Sequence, residues 1–358
     1  MNNSLKTILF TSGFALLSAC NATQETPKQL VHQDGSYDKV PLEKDTAVVK
    51  IVQASVDNIQ EFDDHQKALN NNLNKMISYA NKACSTGKKP DFILYNEFPL
   101  TGYSFGDRQE KLKYTITIPG PETKALGEIA KDCDTYIIFG SYAQDNDWPN
   151  HILSINTVID RNGEVAKKFW KTRNVKRLDN SGEIPTTTIE SVRDKYREKY
   201  GIEEEFPVLR TEFGNIAVST VQLDPLVFSA FAMRGTEIMF RTSTLFFEND
   251  VKAIALFNNF FSAMSNITFP ADSEWASHGG NSLIVSPKGE ILAQATGNIE
   301  TIIEAELPIA ELRKNRKIPR YPVEVVQPVF SQYQQEIPLN HMDMEQNELP
   351  STRKEMKN

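Results

Sequence analysis

Apolar and polar positions alternate along this chain in blocks whose spacing switches between strand-like and helix-like, with turn-forming residues between the blocks. Ala47–Ala54 (A-V-V-K-I-V-Q-A) reads as a first strand. Asp63–Ala83 follows with Leu69, Leu73, Met76, Ile77 and Ala80 on one helical stripe. Phe92–Tyr95 has the residue types of a buried strand and is stopped by Pro99 and Gly102, so the opening unit is strand–helix–strand. Glu122–Lys131 reads as a second helix and Tyr136–Tyr142 as a third strand. Ile152–Asp160 and Glu164–Lys171 alternate on either side of Arg161-Asn162-Gly163, a hairpin signal. The charged stretch Asn180–Glu205 interrupts the pattern and is predicted helical from Ile189 to Tyr200. Beyond it come a strand (Phe213–Val221), a short helix (Phe228–Met233), a strand (Glu237–Thr242) and a helix predicted over Val251–Ser265. Asn281–Ser286 and Glu290–Ala295 flank a Pro287-Lys288-Gly289 turn, and a strand (Ile302–Glu306) and a short helix (Ile309–Arg313) close the pattern. Strands alternating with helices and interrupted by hairpins predict an α/β fold with mixed sheets and outer helices.

Composition narrows the classes. With 358 residues, 40% hydrophobic and 24% charged, the chain has the make-up of a globular protein with one large core or two ordinary ones. A net charge of -8 argues against nucleic acid, whose binding depends on clustered Lys and Arg. The three cysteines (Cys20, Cys84, Cys133) and five histidines are too scattered for a zinc pattern. Lys6 and the apolar stretch Thr7–Leu17 have the form of a targeting segment, too short to span a bilayer as a mature helix. It ends in Leu17-Ser18-Ala19-Cys20, which resembles the bacterial lipobox, whose cysteine is acylated and becomes the first mature residue. Several acyl chains on one cysteine meet the requirement for stable anchoring. The expected organisation is a signal peptide (1–19), a flexible tether (20–45), a folded domain (46–318) and a charged tail (319–358) that extends away or meets a partner. The expected location is outside the cytoplasm, lipid-anchored on a bacterial membrane at its periplasmic or outer-membrane face.

Candidate chemistry centres on Asp91–Phe105, where Glu97 sits as a strand gives way to a loop. In α/β sheets the carboxyl ends of parallel strands collect ligands and catalytic groups. Further landmarks follow in order: Lys171 after the Asn-Gly hairpin, Gly214-Asn215-Ile216-Ala217-Val218 leading to Met233-Arg234-Gly235-Thr236-Glu237, and Gly280-Asn281-Ser282 running into Ser286-Pro287-Lys288-Gly289-Glu290. Together they resemble the nitrilase superfamily of carbon–nitrogen hydrolases, amidase branch included, from about Ala47 to about Arg316. The resemblance implies a four-layer αββα sandwich and pairing into a homodimer through a helical layer, often with the C-terminal tail crossing to the partner subunit. It also implies a cysteine thiolate that attacks an amide or nitrile carbon, a glutamate base and a lysine that stabilises the oxyanion, with no cofactor or metal. Glu97 matches the base and Lys171 the lysine, with Lys167, Lys168 and Lys176 as nearby decoys. For the second glutamate that usually follows the lysine, Asp179 and Glu183 are the candidates.

The nucleophile is where the chain departs from the pattern. Val218-Ser219-Thr220-Val221-Gln222-Leu223-Asp224 contains no cysteine. Counting from Gly214 places the nucleophile at Val221, anchoring on Asp224 gives Gln222, and counting back from Gly235 gives Ser219, so this loop is shortened. Cys84 and Cys133 fall at the sheet end away from Glu97, where they are either paired or two separate thiols. Two readings follow: a binding or scaffolding module for a small amide or carboxylate ligand, or an amide hydrolase using Ser219 or Thr220. The acyltransferase branch fits poorly, because no mature apolar segment reaches the roughly 20 residues of a span. Arg241 is either a carboxylate contact or half of a structural ion pair, and Phe246-Phe247 and Phe260-Phe261 are either pocket wall or core.

Overall fold

The computed structural model describes residues 35–104, 106–174, 185–245, 247–318, 321–333, 348–352 and 354–355. The first half runs β1 (Ala47–Gln53), α1 (His65–Ser85), β2 (Phe92–Leu94), α2 (Arg108–Leu112), β3 (Ile116–Thr117) and α3 (Pro121–Cys133). It continues through β4 (Tyr136–Asp145), β5 (Trp148–Ile159) and β6 (Val165–Trp170). The second half runs α4 (Arg193–Tyr200), β7 (Leu209–Thr211), β8 (Gly214–Ser219), α5 (Pro225–Met233), β9 (Ile238–Thr242) and α6 (Glu248–Asn258). After β10 (Phe261–Ser265), β11 (Leu283–Val285), β12 (Ile291–Gln294) and β13 (Thr301–Leu307) come α7 (Ile309–Asn315) and α8 (Val323–Phe330).

Two sheets result. One has the order β13-β1-β2-β4-β5-β6 with β3 on β4, and the other β12-β11-β10-β9-β8-β7. The pairs β1–β2, β2–β4, β8–β9 and β9–β10 are parallel. β13 returns to the first sheet antiparallel to β1, with Ala47 opposite Leu307 and Gln53 opposite Thr301. Alternate residues of the central strands serve different cores. Val49, Ile51, Phe92, Leu94 and Ile138 pack with Ile216, Met239 and Phe240 of the second sheet. Val52, Ile93, Ile137 and Phe139 pack with Met76 and Ala80 of α1 and Leu126 and Ala130 of α3. Burial on both faces is why these strands read as continuous apolar runs rather than clean alternations. With α6 laid on β10 and β11 through Val251 and Ala255, the layers are the αββα sandwich that the resemblance implied.

Three expectations change. The helix predicted over Val251–Ser265 stops at Asn258, because Asn259 takes the left-handed conformation (φ 51°) and the chain re-enters as β10. β10 is buried on both faces, and such a run carries no period to separate it from a helix. The end of the expected tether, residues 35–45, belongs to the folded domain. The fully buried Glu237 carboxylate accepts from Tyr37 Oη (2.7 Å), Arg313 Nε (2.8 Å) and the Asn215 amide (2.7 Å), while Arg313 Nη1 donates to the Val40 carbonyl (2.6 Å). In the expected tail, α8 buries none of its residues, but residues 349–351 dock back on α2.

Cys84 and Cys133 form a disulfide between the C-terminal ends of α1 and α3. The bond closes a loop of 49 residues in the outer helical layer. In the chain-entropy account such a loop stabilises by about 4 kcal/mol. The double variant Cys84→Ala/Cys133→Ala should therefore unfold at lower denaturant concentration, by roughly that energy, with the folded spectrum unchanged. An unaltered midpoint would show that the cross-link contributes nothing.

Candidate active site

A close approach of two backbones sets the first catalytic candidate. Beyond β2 the chain stays paired to β4, Tyr95 N to Ile138 O (2.8 Å) and Gly140 N to Asn96 O (3.1 Å). A Cβ at Gly140 would lie 2.3 Å from the Glu97 carbonyl oxygen, so only glycine fits there. Asn96 Oδ1 accepts from the Phe98 amide (3.0 Å) and turns the chain, leaving Glu97 at the carboxyl end of the strand.

Lys171 follows β6 and is fixed by its backbone on both sides, its amide donating to Ser154 O (3.0 Å) and its carbonyl accepting from Ile189 N (3.1 Å). Its Nζ lies 3.2 Å from Glu97 Oε1, and the two side chains are only 13% and 7% exposed. The other carboxylate oxygen accepts from Thr244 Oγ1 (3.2 Å), just past β9. The two residues selected from the sequence are thus in contact, and Thr244 is a partner that sequence reading missed. Its only signal was its place after a parallel strand, where Arg241 drew attention instead.

The third part is the turn from β8 into α5. Glu97, Lys171 and Thr244 line a cavity of ≈ 360 Å³ together with Thr220, Val221 and Gln222. That is near the lower end of the roughly 300–1,000 Å³ usual for ligand sites. Val221 thus lines the same cavity as the glutamate and lysine, and no cysteine is among the described lining residues. Ser219 is not brought to the cavity lining; its hydroxyl accepts from the Val221 amide (3.2 Å) inside the turn. Thr220 does line it, with a buried hydroxyl that has no hydrogen-bond partner among the described residues. Gln222 Nε2 donates to Ser243 Oγ (2.7 Å) and Leu245 O (3.1 Å), which ties the turn to the chain after β9. Leu223 adopts φ 54°, the local strain of a tight strand-to-helix turn.

Charges around the turn are paired. Arg241 is the structural ion pair of its two readings: Nη2 lies 2.6 Å from Asp250 Oδ2, donates to the Val221 carbonyl (3.0 Å), and its guanidinium sits 4.7 Å from the Phe228 ring centroid. Burial pulls its pKa below the usual arginine value, with Asp250 opposing the fall. Arg173 Nη1 meets Asp224 Oδ2 at 2.8 Å, joining the segment after Lys171 to the start of α5 at the cavity lining. Phe98, Tyr103, Tyr142, Leu245 and Phe247 supply apolar wall, whereas Phe260 and Phe261 are core. Cys20, Asp179, Glu183 and Phe246 lie outside the described residues.

A two-sheet sandwich with a glutamate and lysine in contact at the strand ends defines a class, and comparison with known proteins agrees. This chain belongs to the carbon-nitrogen hydrolase family, which it matches over residues 49–317. It is 27% identical over 223 residues to omega-amidase NIT2 of Xenopus tropicalis, covering 58% of this chain and 75% of the relative. The protein N-terminal amidase of Saccharomyces cerevisiae is 36% identical over a shorter 89 residues, 25% of this chain and 19% of that one. Among solved structures, an amidase from Nesterenkonia sp. aligns with TM-score 0.56 at 16% identity, over 80% of this chain and 98% of its own. Saccharomyces cerevisiae Nit3 aligns with TM-score 0.58 at 16% identity, over 84% of this chain and 100% of its own. At these identities the structural likeness speaks for the fold alone.

Proposed function

We propose that this protein is a lipid-anchored member of its family that has lost cysteine-dependent hydrolysis and binds a small amide or carboxylate as a binding or scaffolding module. The observation that carries the reading is that Val221, and no cysteine among the described lining residues, shares the cavity of the Glu97–Lys171 pair. A valine side chain has no group to attack a carbonyl or hold an acyl intermediate. Cys84 and Cys133 are bonded to each other and supply no thiol. Loss of a nucleophile alone costs on the order of 10⁶ in rate in a serine hydrolase. The paired Glu97 and Lys171 still offer an acceptor and a charged donor to a polar ligand end, with apolar wall around them.

A second reading, an active amide hydrolase, is favoured by one feature. Thr220 places at the same cavity a hydroxyl with no hydrogen-bond partner among the described residues. Its activation would fall to Glu97, and a hydroxyl is a much poorer nucleophile than a thiol at neutral pH. The domain division, export and anchoring through Cys20 are part of the same proposal. Their support is the Leu17-Ser18-Ala19-Cys20 motif and a disulfide that suits an oxidising compartment. Homodimer formation through the helical layer is supported by exposed apolar side chains on the second sheet's helices, Leu226 on α5 and Leu256 and Phe257 on α6.

Three measurements test these points. Ammonia release from acetamide, butyramide and propionitrile should stay at background for the purified protein. Turnover abolished by Glu97→Gln would overturn the binding reading, and its further loss in Thr220→Val but not Ser219→Ala would establish the second. Cys20→Ala should move the protein from the membrane to the soluble fraction of a bacterial host, and an unchanged distribution would remove the anchor. Sedimentation of the soluble form should give a dimer mass that Phe257→Glu halves, whereas a monomer mass for the parent protein would sink the pairing.

A further inference from the structure

The aromatic wall of the cavity has a support that neither the family chemistry nor the ligand reading assigns. Phe98 stacks on Tyr142 with ring centroids 4.2 Å apart, and Tyr103 meets Phe98 edge-on at 5.9 Å. Behind them stands α2, whose Lys111 ammonium lies 5.1 Å from the Tyr142 ring centroid and whose Leu112 packs on the same cluster. This helix is five residues long and cannot hold its own shape, because so short a helix barely exceeds its nucleus. Its position depends on what grips it.

Arg108, at its first residue, is the grip. The side chain is 2% exposed, and burial lowers its pKa to about 10, so it remains charged at neutral pH. Nη1 donates to the Asn150 carbonyl (3.2 Å) at the start of the β5 hairpin strand, and Nε donates to the Pro350 carbonyl (2.8 Å). The Arg108 amide donates to the Ser351 carbonyl (2.9 Å). Leu349 beside it packs against the core cluster under α1 and α3. The segment closes on itself, since Glu355 accepts from the Ser351 (2.7 Å) and Thr352 (3.3 Å) amides. A stretch some 240 residues away in sequence thus clasps the wall of the cavity from behind.

We propose that residues 348–352 and 354–355 form a strap that holds α2 and, through it, the Phe98–Tyr103–Tyr142 wall, so that release of this segment loosens the cavity. The proposal concerns this wall whether the cavity binds or hydrolyses its ligand. Truncation after Asn347 removes the Pro350 and Ser351 carbonyl contacts together with the Leu349 packing, and Leu349→Asp disrupts the packing alone.

Two readouts test it. Amide hydrogen exchange of residues 98–112 should quicken by ~10-fold or more in the truncated protein, while β1 stays protected. A synthetic peptide of residues 346–358 should restore the protection. For cavity access, Val221→Cys in a Cys20→Ala background gives one alkylatable thiol, the other two cysteines being disulfide-bonded. Its iodoacetamide reaction should likewise accelerate ~10-fold on truncation, and Leu349→Asp in the full-length chain should act in the same direction. Unchanged exchange over 98–112, an unchanged alkylation rate, or an acceleration spread equally over β1 would each overturn the strap. Amide turnover by the parent protein would overturn the binding reading and leave the strap standing.

Discussion

The site depends on one backbone contact, Gly140 of β4 against the carbonyl of Glu97. A side chain at that position would need the Glu97 backbone to move by about an ångström to reach ordinary contact distance. Because it need not move, the chain leaves β2 still paired to β4 and turns at Asn96, which puts the carboxylate at the strand end. Everything else converges on that point from other elements: Lys171 from the end of β6, Thr244 from the end of β9, and the Thr220–Asp224 turn from the end of β8. Carboxyl ends of four strands meet there, two from each sheet. The face-to-face packing of the sheets is therefore a condition of the site as well as of the core.

Ion pairs line or adjoin a cavity with no cysteine among its described lining residues. Glu97–Lys171, Arg173–Asp224 and Arg241–Asp250 are all at least partly buried. Removing charges from water costs several kcal/mol per ion, and such pairs often add little net stability. Their value lies in fixing geometry. Arg241 holds the Val221 carbonyl, Arg173 joins the segment after Lys171 to α5, and Lys171 orients the glutamate. A site whose charges are already neutralised in pairs suits recognition of a polar group by hydrogen bonds, in line with the binding function proposed.

What the residues disclosed in advance follows a physical boundary. Hairpins with Asn-Gly or Pro-Lys-Gly turns, amphipathic α1 and most strands of both sheets are local patterns that formed close to their predicted places. The short β3 and β7 were not foreseen, and β10 falls within a predicted helix. Glu97 and Lys171 were legible from the motif around one and the hairpin before the other, although 74 residues separate them. The α6–β10 boundary was not, because Val251–Ser265 is mostly apolar on both sides of the one αL asparagine that divides it. Thr244, Gly140 and Asp250 as the partner of Arg241 were also hidden, since their roles are contacts between separate elements. The same holds for both chain ends. Tyr37 and Arg108 are ordinary in composition, and only folding reveals that one meets a buried Glu237 and the other a C-terminal carbonyl.

The Tyr37 contact also orients the domain. The N-terminal arm is fixed where Tyr37 meets Glu237, the residue before β9, and the cavity opens where Thr244 follows the same strand. Seven residues of extended chain, roughly 20 Å, separate the two points. The disulfide between Cys84 and Cys133 likewise lies where β2 and β4 begin, while Glu97 lies where β2 ends. Arm and disulfide thus share the end of the sandwich remote from the cavity. A tether that ran from Cys20 to this arm would leave the domain at that remote end, and the cavity would face away from the anchored surface, open to a ligand diffusing in the surrounding compartment.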